Sequence, residues 1–240
     1  MNKIPPDAED VPAWVYDRDY YLIHMEDAAD FARLRQAPRA AEHLSYRLKT
    51  ALQVAEIQAG MRLLDIGCGR GEIALQAALQ QAEVWALDYS SAAMEITNEL
   101  KHAAGSFAHS LHLAQAHAAA LPFASSSFER ALMLDMVEHL PQAILLSALQ
   151  EAYRVLRPGG RLVIHTMPNR DYYRWGYPLY RLFSRLLGRD LPADPRQRWY
   201  RGDTHVNIQS PRSLRQTLDQ IPFRRITVWL QPLYGSPFRR

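Results

Sequence analysis

Residues 61–72 read Met-Arg-Leu-Leu-Asp-Ile-Gly-Cys-Gly-Arg-Gly-Glu, an apolar run that delivers one acid and then three alternating glycines, Gly67, Gly69 and Gly71. Leu63, Leu64 and Ile66 predict a buried parallel strand, and Glu72-Ile-Ala-Leu-Gln-Ala-Ala predicts a helix start, so the glycines fall at a strand-to-helix turn. Lacking Cβ atoms, that turn lets a ligand come close to the backbone, and the opening amides of the helix attract negative charge. The expected ligand is a nucleoside cofactor.

The glycine spacing is Asp-x-Gly-x-Gly-x-Gly, whereas dinucleotide folds show G-x-G-x-x-G. The next apolar run, Val84-Trp-Ala-Leu-Asp88, ends in an acid about twenty residues after the glycines, where a ribose-binding carboxylate belongs. Ser90 and Ser91 can cap the following helix, which weakens the reading of Asp88 as a mere cap. Downstream come Leu121-Pro-Phe-Ala-Ser-Ser-Ser-Phe-Glu-Arg-Ala-Leu-Met-Leu-Asp135 and Arg154-Val-Leu-Arg-Pro-Gly-Gly-Arg-Leu-Val-Ile164. In this order, over about 51–169, these features resemble the class I S-adenosylmethionine-dependent methyltransferases, most closely the ubiquinone/menaquinone-type and natural-product enzymes.

The resemblance implies a cofactor site in which Asp65, Gly67, Cys68, Gly69 and Gly71 lie near the methionine portion. Asp88, with Tyr89 beside it, would meet the ribose, His117 and Ala118 the adenine, and Leu134 and Asp135 would lie beneath the methionine. Relatives usually carry an acid at the position of His117 to accept from the adenine amino group; a neutral imidazole can accept that bond through a ring nitrogen. The implied cofactor is S-adenosyl-L-methionine, leaving S-adenosyl-L-homocysteine as product.

With 240 residues, 48% of them hydrophobic and 22% charged, the chain is expected to form a single domain around one substantial core. The only cysteine, Cys68, excludes an intramolecular disulfide and any paired-cysteine metal site. With no apolar leader core and no run approaching the length of a membrane span, a cytoplasmic protein is expected. The formal charge of +3 divides unevenly: residues 1–169 carry 14 basic and 20 acidic side chains, residues 170–240 carry 14 and 5, and every basic residue of the second part is Arg. Forked, planar contacts to phosphate, carboxylate or aromatic faces are therefore available there, although a solvated arginine surface explains the same count.

The expected fold is α/β: a Rossmann-like, doubly wound, mostly parallel sheet of the seven-stranded type. Strands are predicted near 62–66, 83–87, 110–115, 128–134 and 160–166, and helices over 39–58, 71–80, 91–103 and 142–156. Residues 1–38 form an N-terminal helical cap rich in aromatics, 39–169 the cofactor-binding core, 170–204 an insertion, and 205–240 a closing helix and strand. The insertion interleaves Tyr172, Tyr173, Trp175, Tyr177, Tyr180, Phe183, Trp199 and Tyr200 with arginines, is amphipathic over 177–187, and reads as a lid over the acceptor. Ser210 and Pro211 predict the start of the last helix, 225–230 a sixth strand, and the short tail 231–240 leaves a seventh doubtful.

Chemistry is expected beyond the carboxyl ends of the strands. The fourth strand delivers Asp135-Met-Val-Glu138-His139, which on a helical turn would place Asp135, Glu138 and His139 on one face. One reading makes His139 a general base oriented by Glu138. A second makes Asp135, Glu138 and His139 ligands of a divalent metal, completed by His205 or His165. A third has the pair only packing the short helix. Acceptor contacts are expected from His165, His205, Tyr172 and Tyr173. The expected reaction is methyl transfer to a small or medium-sized organic acceptor, with oxygen as the favoured atom. An RNA 2′-O-methyltransferase and a non-catalytic cofactor-binding protein are the rivals; the sequence disfavours nucleic acid, leaves a peripheral membrane contact open, and does not fix the oligomeric state.

Overall fold

The structure, a computed structural model, describes residues 10–25, 27–198 and 204–230. Trp199, Tyr200 and the tail 231–240 lie outside the described residues.

The apolar runs form the sheet they predict. β1 (Arg62–Ile66), β2 (Glu83–Asp88), β3 (Leu111–Gln115), β4 (Phe128–Leu134) and β5 (Leu156–His165) pair entirely in parallel, in the order β3-β2-β1-β4-β5. Helices on both faces leave β1 from Leu63 and β4 from Ala131 continuously buried, so their side chains do not alternate between apolar and polar; Asp65 is the one acid in those runs. Chain order reverses between β1 and β4, so a crevice opens at the carboxyl ends of those two strands.

One face of the sheet is covered by α1 (Ala28–Gln36), α2 (Tyr46–Ala55), α3 (Glu72–Leu79) and α4 (Ser91–Ala104), whose buried Leu34, Leu48, Leu75 and Ile96 share a core with Leu63 and Val84. The other face is covered by α5 (Gln142–Val155) and α7 (Pro211–Leu218). Ile144, Leu145, Ala148, Leu149 and Ala152 make the buried stripe of α5 against Leu64, Ile66 and Met133. Ser90 caps α4 by accepting from the Ala93 amide (3.2 Å), and Ser210 and Ser213 form a reciprocal capping box at α7, with Pro211 at its first position.

Three boundaries depart from expectation. The helix predicted over 39–58 is a short 3-10 turn, Ala41–His43, followed by α2, which opens at an extended Ser45 and stops at a left-handed Glu56. β5 begins earlier than predicted because Leu156 already pairs with Phe128 before a register shift. The strand expected over 225–230 does not form, so the sheet has five strands among the described residues. Arg215 on α7 donates to the Ile226 carbonyl (3.0 Å), and Ile226 and Val228 pack on the α5 side of the core.

Before α1 the chain makes a 3-10 turn at Ala13–Val15 and a π-helical turn at Tyr20–His24. After β5 come a second π-helical turn, Tyr172–Gly176, and α6 (Tyr177–Leu186). No helix of the described residues is long and apolar enough to cross a membrane.

Candidate active site

The glycine turn sits at the carboxyl end of β1, tied to β2 because Gly67 and Cys68 both donate to the Leu87 carbonyl (2.7 and 2.9 Å). Gly67 and Gly71 are left-handed, with φ of 72° and 77°. A Cβ at Gly67 would come within 2.8 Å of Met136 Sδ, and one at Gly71 would run into the Thr97 side chain. Both positions thus need glycine for conformation and for space. At Gly69 an added Cβ would meet only Tyr21, at an ordinary 3.5 Å, so crowding there is weaker than the motif suggests.

Asp88, at the end of β2, accepts from the Gly69 amide through Oδ2 (3.0 Å) and from the Ser90 amide through Oδ1 (2.9 Å). It is part of the turn's scaffold as well as of the cleft wall. Burial raises its pKa, and those backbone donors oppose the rise. Asp65 is 2% exposed, and no described residue donates a hydrogen bond to it. Burial, with the charges of Asp88 and Glu72, pushes its carboxyl up to about 7. Two carboxylates in one buried turn make a site that a cation would stabilise. The Cys68 thiol is pushed well up by burial and the same two acids, so it is a neutral packing group and no nucleophile.

A cleft opens over this turn, walled by Asp65, Gly67, Cys68, Gly69, Asp88, Tyr89, His117, Ala118, Leu134 and Asp135. The structure thus brings together all the cofactor residues named from sequence except Gly71, which stands behind the wall. The N-terminal segment adds Tyr16, Tyr20, Tyr21 and Met25. Tyr16 packs edge-on against Tyr20 (5.1 Å between centroids) and His139 (5.5 Å), and its carbonyl accepts from Ser90 Oγ (2.7 Å). His117 differs from expectation. Its Nδ1 accepts from the Ala119 amide (3.1 Å), which puts the ring proton on Nε2, and that N–H donates to Asp10 Oδ2 (2.6 Å). With both nitrogens engaged, His117 holds an acid from the N-terminal segment near the place where relatives carry their own.

At the end of β4 the predicted shared face does not form. Asp135 is left-handed (φ 53°), so the turn Val137–His139 begins only after it, and the three side chains diverge. Asp135 Oδ2 accepts from Arg47 Nε (2.5 Å), and Oδ1 pairs with His165 Nδ1. Arg47 continues to Asp27 (2.6 Å), Asp27 to the fully buried Arg70 (2.5 Å), and Arg70 to Glu72 (2.9 Å). This ion chain links α2, the N-terminal segment, the glycine turn and the ends of β4 and β5. Burial works against an ionised Asp135, but Arg47 and His165 outweigh it and hold its pKa well below the carboxylate range. Glu138 turns to β5, accepting from Thr166 Oγ1 (2.7 Å), and burial beside Asp135 pushes it up to about 8.

Two expectations therefore need correction. Glu138 does not orient His139. Nor do Asp135, Glu138, His139, His165 and His205 fit a metal: the carboxylates are spent on Arg47, His165 and Thr166, and no group of three ligating side chains converges among the described residues.

His139 lines the cleft. Its Nδ1 lies 3.2 Å from the Thr204 carbonyl, which can only accept, so the ring proton sits on Nδ1 and Nε2 carries the lone pair. The same N–H is shared with the Tyr16 hydroxyl (3.0 Å). Burial and His205, whose ring centroid is 4.8 Å away, push its pKa down to about 3, keeping the imidazole neutral. Of the expected acceptor residues, His205 stands against His139, whereas His165, Tyr172 and Tyr173 line a broad groove along β5. No described residue of 170–198 walls the cleft. Tyr16 and Tyr20 were expected only as aromatics of the N-terminal cap, and Arg47 and Arg70 were not expected at the site; of those two, only Arg70, lodged between two motif glycines, carried a local signal.

Residues 64–164 match the methyltransferase domain family model. The demethylmenaquinone methyltransferase of Desulfitobacterium hafniense (strain Y51) is 31% identical over 175 residues, 69% of this chain and 67% of that protein. The ubiquinone/menaquinone biosynthesis C-methyltransferase UbiE of Allorhizobium ampelinum is 30% identical over 139 residues, so the chain spans 54% of its own length and only 53% of that relative's. Among solved structures, an S-adenosylmethionine-dependent methyltransferase from Aquifex aeolicus superposes with a TM-score of 0.55 at 16% identity, over 80% of this chain and 88% of that one, and shares the fold. The glycine turn, the acid ending β2 and these matches agree: the chain belongs to the class I S-adenosylmethionine-dependent methyltransferases of small molecules.

Proposed function

We propose that this methyltransferase modifies a ring carbon of a hydroxylated, quinone-type aromatic acceptor. The observation that carries the reading is the match to a demethylmenaquinone methyltransferase over two thirds of that relative, supported by the word C-methyltransferase in the second relative's name. An aromatic wall of Tyr16, Tyr20 and Tyr21 ending at a neutral His139 suits a flat hydroxyarene. Oxygen, the acceptor atom favoured by the motifs alone, finds no support in those two names.

The cofactor, when bound, supplies a methyl group on a sulfonium. In this reading Asp65 holds its ammonium, the Gly67–Gly69 turn lies against its methionine portion, Asp88 takes the ribose hydroxyls, and Ala118 with the Asp10–His117 pair the adenine edge. Residues 10–36 serve as the cap, clamped by the Asp27–Arg70 and Asp27–Arg47 pairs. His139 Nε2 takes the proton of an acceptor hydroxyl, which makes the neighbouring ring carbon nucleophilic; once methylated, that carbon gives its own proton to water while His139 returns the first proton to the oxygen, restoring the hydroxyarene. With its pKa near 3, His139 is a weak base, so its share belongs at the lower end of the usual range, about 10²-fold. Residues 170–198 do not wall the cleft, so as a lid over the acceptor they would close only by moving. Incubation with labelled S-adenosylmethionine tests the reading: reduced demethylated naphthoquinols should be methylated, and water-soluble catechols far more slowly. Equal or faster catechol turnover would refute it.

A further inference from the structure

α6 is amphipathic the wrong way round for a helix that serves a core. It turns Tyr177 and Ser184 inward, with the Tyr177 hydroxyl donating to the Pro192 carbonyl (2.8 Å). Outward it presents Leu179, Leu182, Phe183, Leu186 and Leu187, each between 56% and 76% exposed. At helical spacing these five make one continuous stripe, larger than scattered surface apolar residues would give. Soluble proteins keep such a stripe for a partner.

The rim identifies the partner. Residues 170–198 carry seven arginines against three aspartates, and Lys is absent. Arg174, Arg185 and Arg189 are exposed; Arg185 and Arg189 have no carboxylate partner among the described residues, and Arg174 lies over Trp175, 5.1 Å from the ring centre. Trp175 (65%) and Tyr180 (45%) are exposed at the edge of the stripe. Apolar stripe, cationic rim and interfacial aromatics on a helix of ten residues, too short to cross a bilayer, are the attributes of a segment lying flat in a lipid headgroup layer. We propose that α6 docks this methyltransferase on anionic lipid bilayers, with Leu182, Phe183 and Leu186 inserted and Arg185 and Arg189 on the headgroup phosphates. Docking depends only on this surface and stands whatever the methyl acceptor proves to be.

Flotation of the full chain with vesicles of phosphatidylcholine alone, or mixed with phosphatidylglycerol, tests the proposal. Binding is expected to the anionic vesicles and to weaken with salt, since each arginine near such a surface strengthens binding by about fivefold. Leu182→Glu/Leu186→Glu should lower it at least about tenfold. Arg185→Glu/Arg189→Glu, which alters only exposed charges, should do so selectively for anionic vesicles. Unchanged S-adenosylmethionine binding by calorimetry certifies that both variants fold. Absence of flotation with anionic vesicles, or flotation equal in wild type and both variants, overturns the proposal. So does sedimentation showing a dimer that the leucine variant dissociates while vesicle binding is absent, because the stripe then pairs two copies of the chain.

Discussion

Asp65 carries the most informative charge in the molecule. Burial and the neighbouring Asp88 and Glu72 raise its pKa to about 7, so below that pH the free protein holds a proton there. A cationic ammonium placed beside the carboxyl favours its ionised form and drives the proton off. Binding of S-adenosylmethionine should therefore release protons below about pH 7 and tighten as pH rises through that value, approaching one proton per site on the acid side. Calorimetry in buffers of different ionisation heat reads the proton count directly; a count of zero at pH 6, or one unchanged in Asp65→Asn, would remove Asp65 from contact with the cofactor. His139→Gln should lower turnover about 10²-fold with cofactor affinity nearly unchanged. Exhaustive chelation with EDTA should leave the wild-type rate intact, because the carboxylates a metal would need are committed to Arg47, His165 and Thr166. Chelator-sensitive activity restored by a divalent ion would mean that those ion pairs open during turnover.

Among the elements, the β1-to-α3 turn depends on glycine most where Gly71 meets Thr97. Gly71→Ala forces a left-handed alanine against that side chain and should destabilise the fold by roughly 2 kcal/mol, the scale of such backbone strain with a steric clash added. Thr97→Ser removes the clashing methyl while retaining the hydroxyl that donates to the Gly69 carbonyl (3.0 Å), so the double variant should recover part of the loss; equal denaturation midpoints for the single and double variants would show that the clash is not the cause. These elements were legible because their patterns are local. Apolar runs gave β1 to β4 within a residue of their bounds, and Ser90 and Ser210 mark their caps in the sequence. The divergence of Asp135 from Glu138 was not legible, since it follows from one left-handed residue held by the His165 carbonyl, 30 positions away. Nor was the Asp27–Arg70–Glu72 chain, whose first member lies 43 residues before its arginine. Long-range ion pairs leave no periodicity. The strand expected over 225–230 failed as well: Ile226 and Val228 pack, half-buried, against the core cluster on the α5 side, but the segment does not hydrogen-bond into the sheet.

Taken whole, the molecule sets two functional surfaces at different places. The cleft lies at the crevice between β1 and β4 and is lined in part by the N-terminal Tyr16, Tyr20 and Tyr21, whereas the apolar stripe of α6 faces outward from the segment that follows β5. An enzyme that rests on a bilayer through one and methylates through the other would meet apolar acceptors without their first dissolving in water. That arrangement makes the identity of the methylated atom the decisive fact. Reaction of the protein with S-adenosylmethionine carrying a ¹³C-labelled methyl group and a reduced demethylated naphthoquinol, followed by carbon NMR of the extracted product, settles it. The account predicts a label in the region of aromatic C–CH₃ groups; a label among methoxy carbons, or a product free of label while the cofactor remains bound, would contradict it.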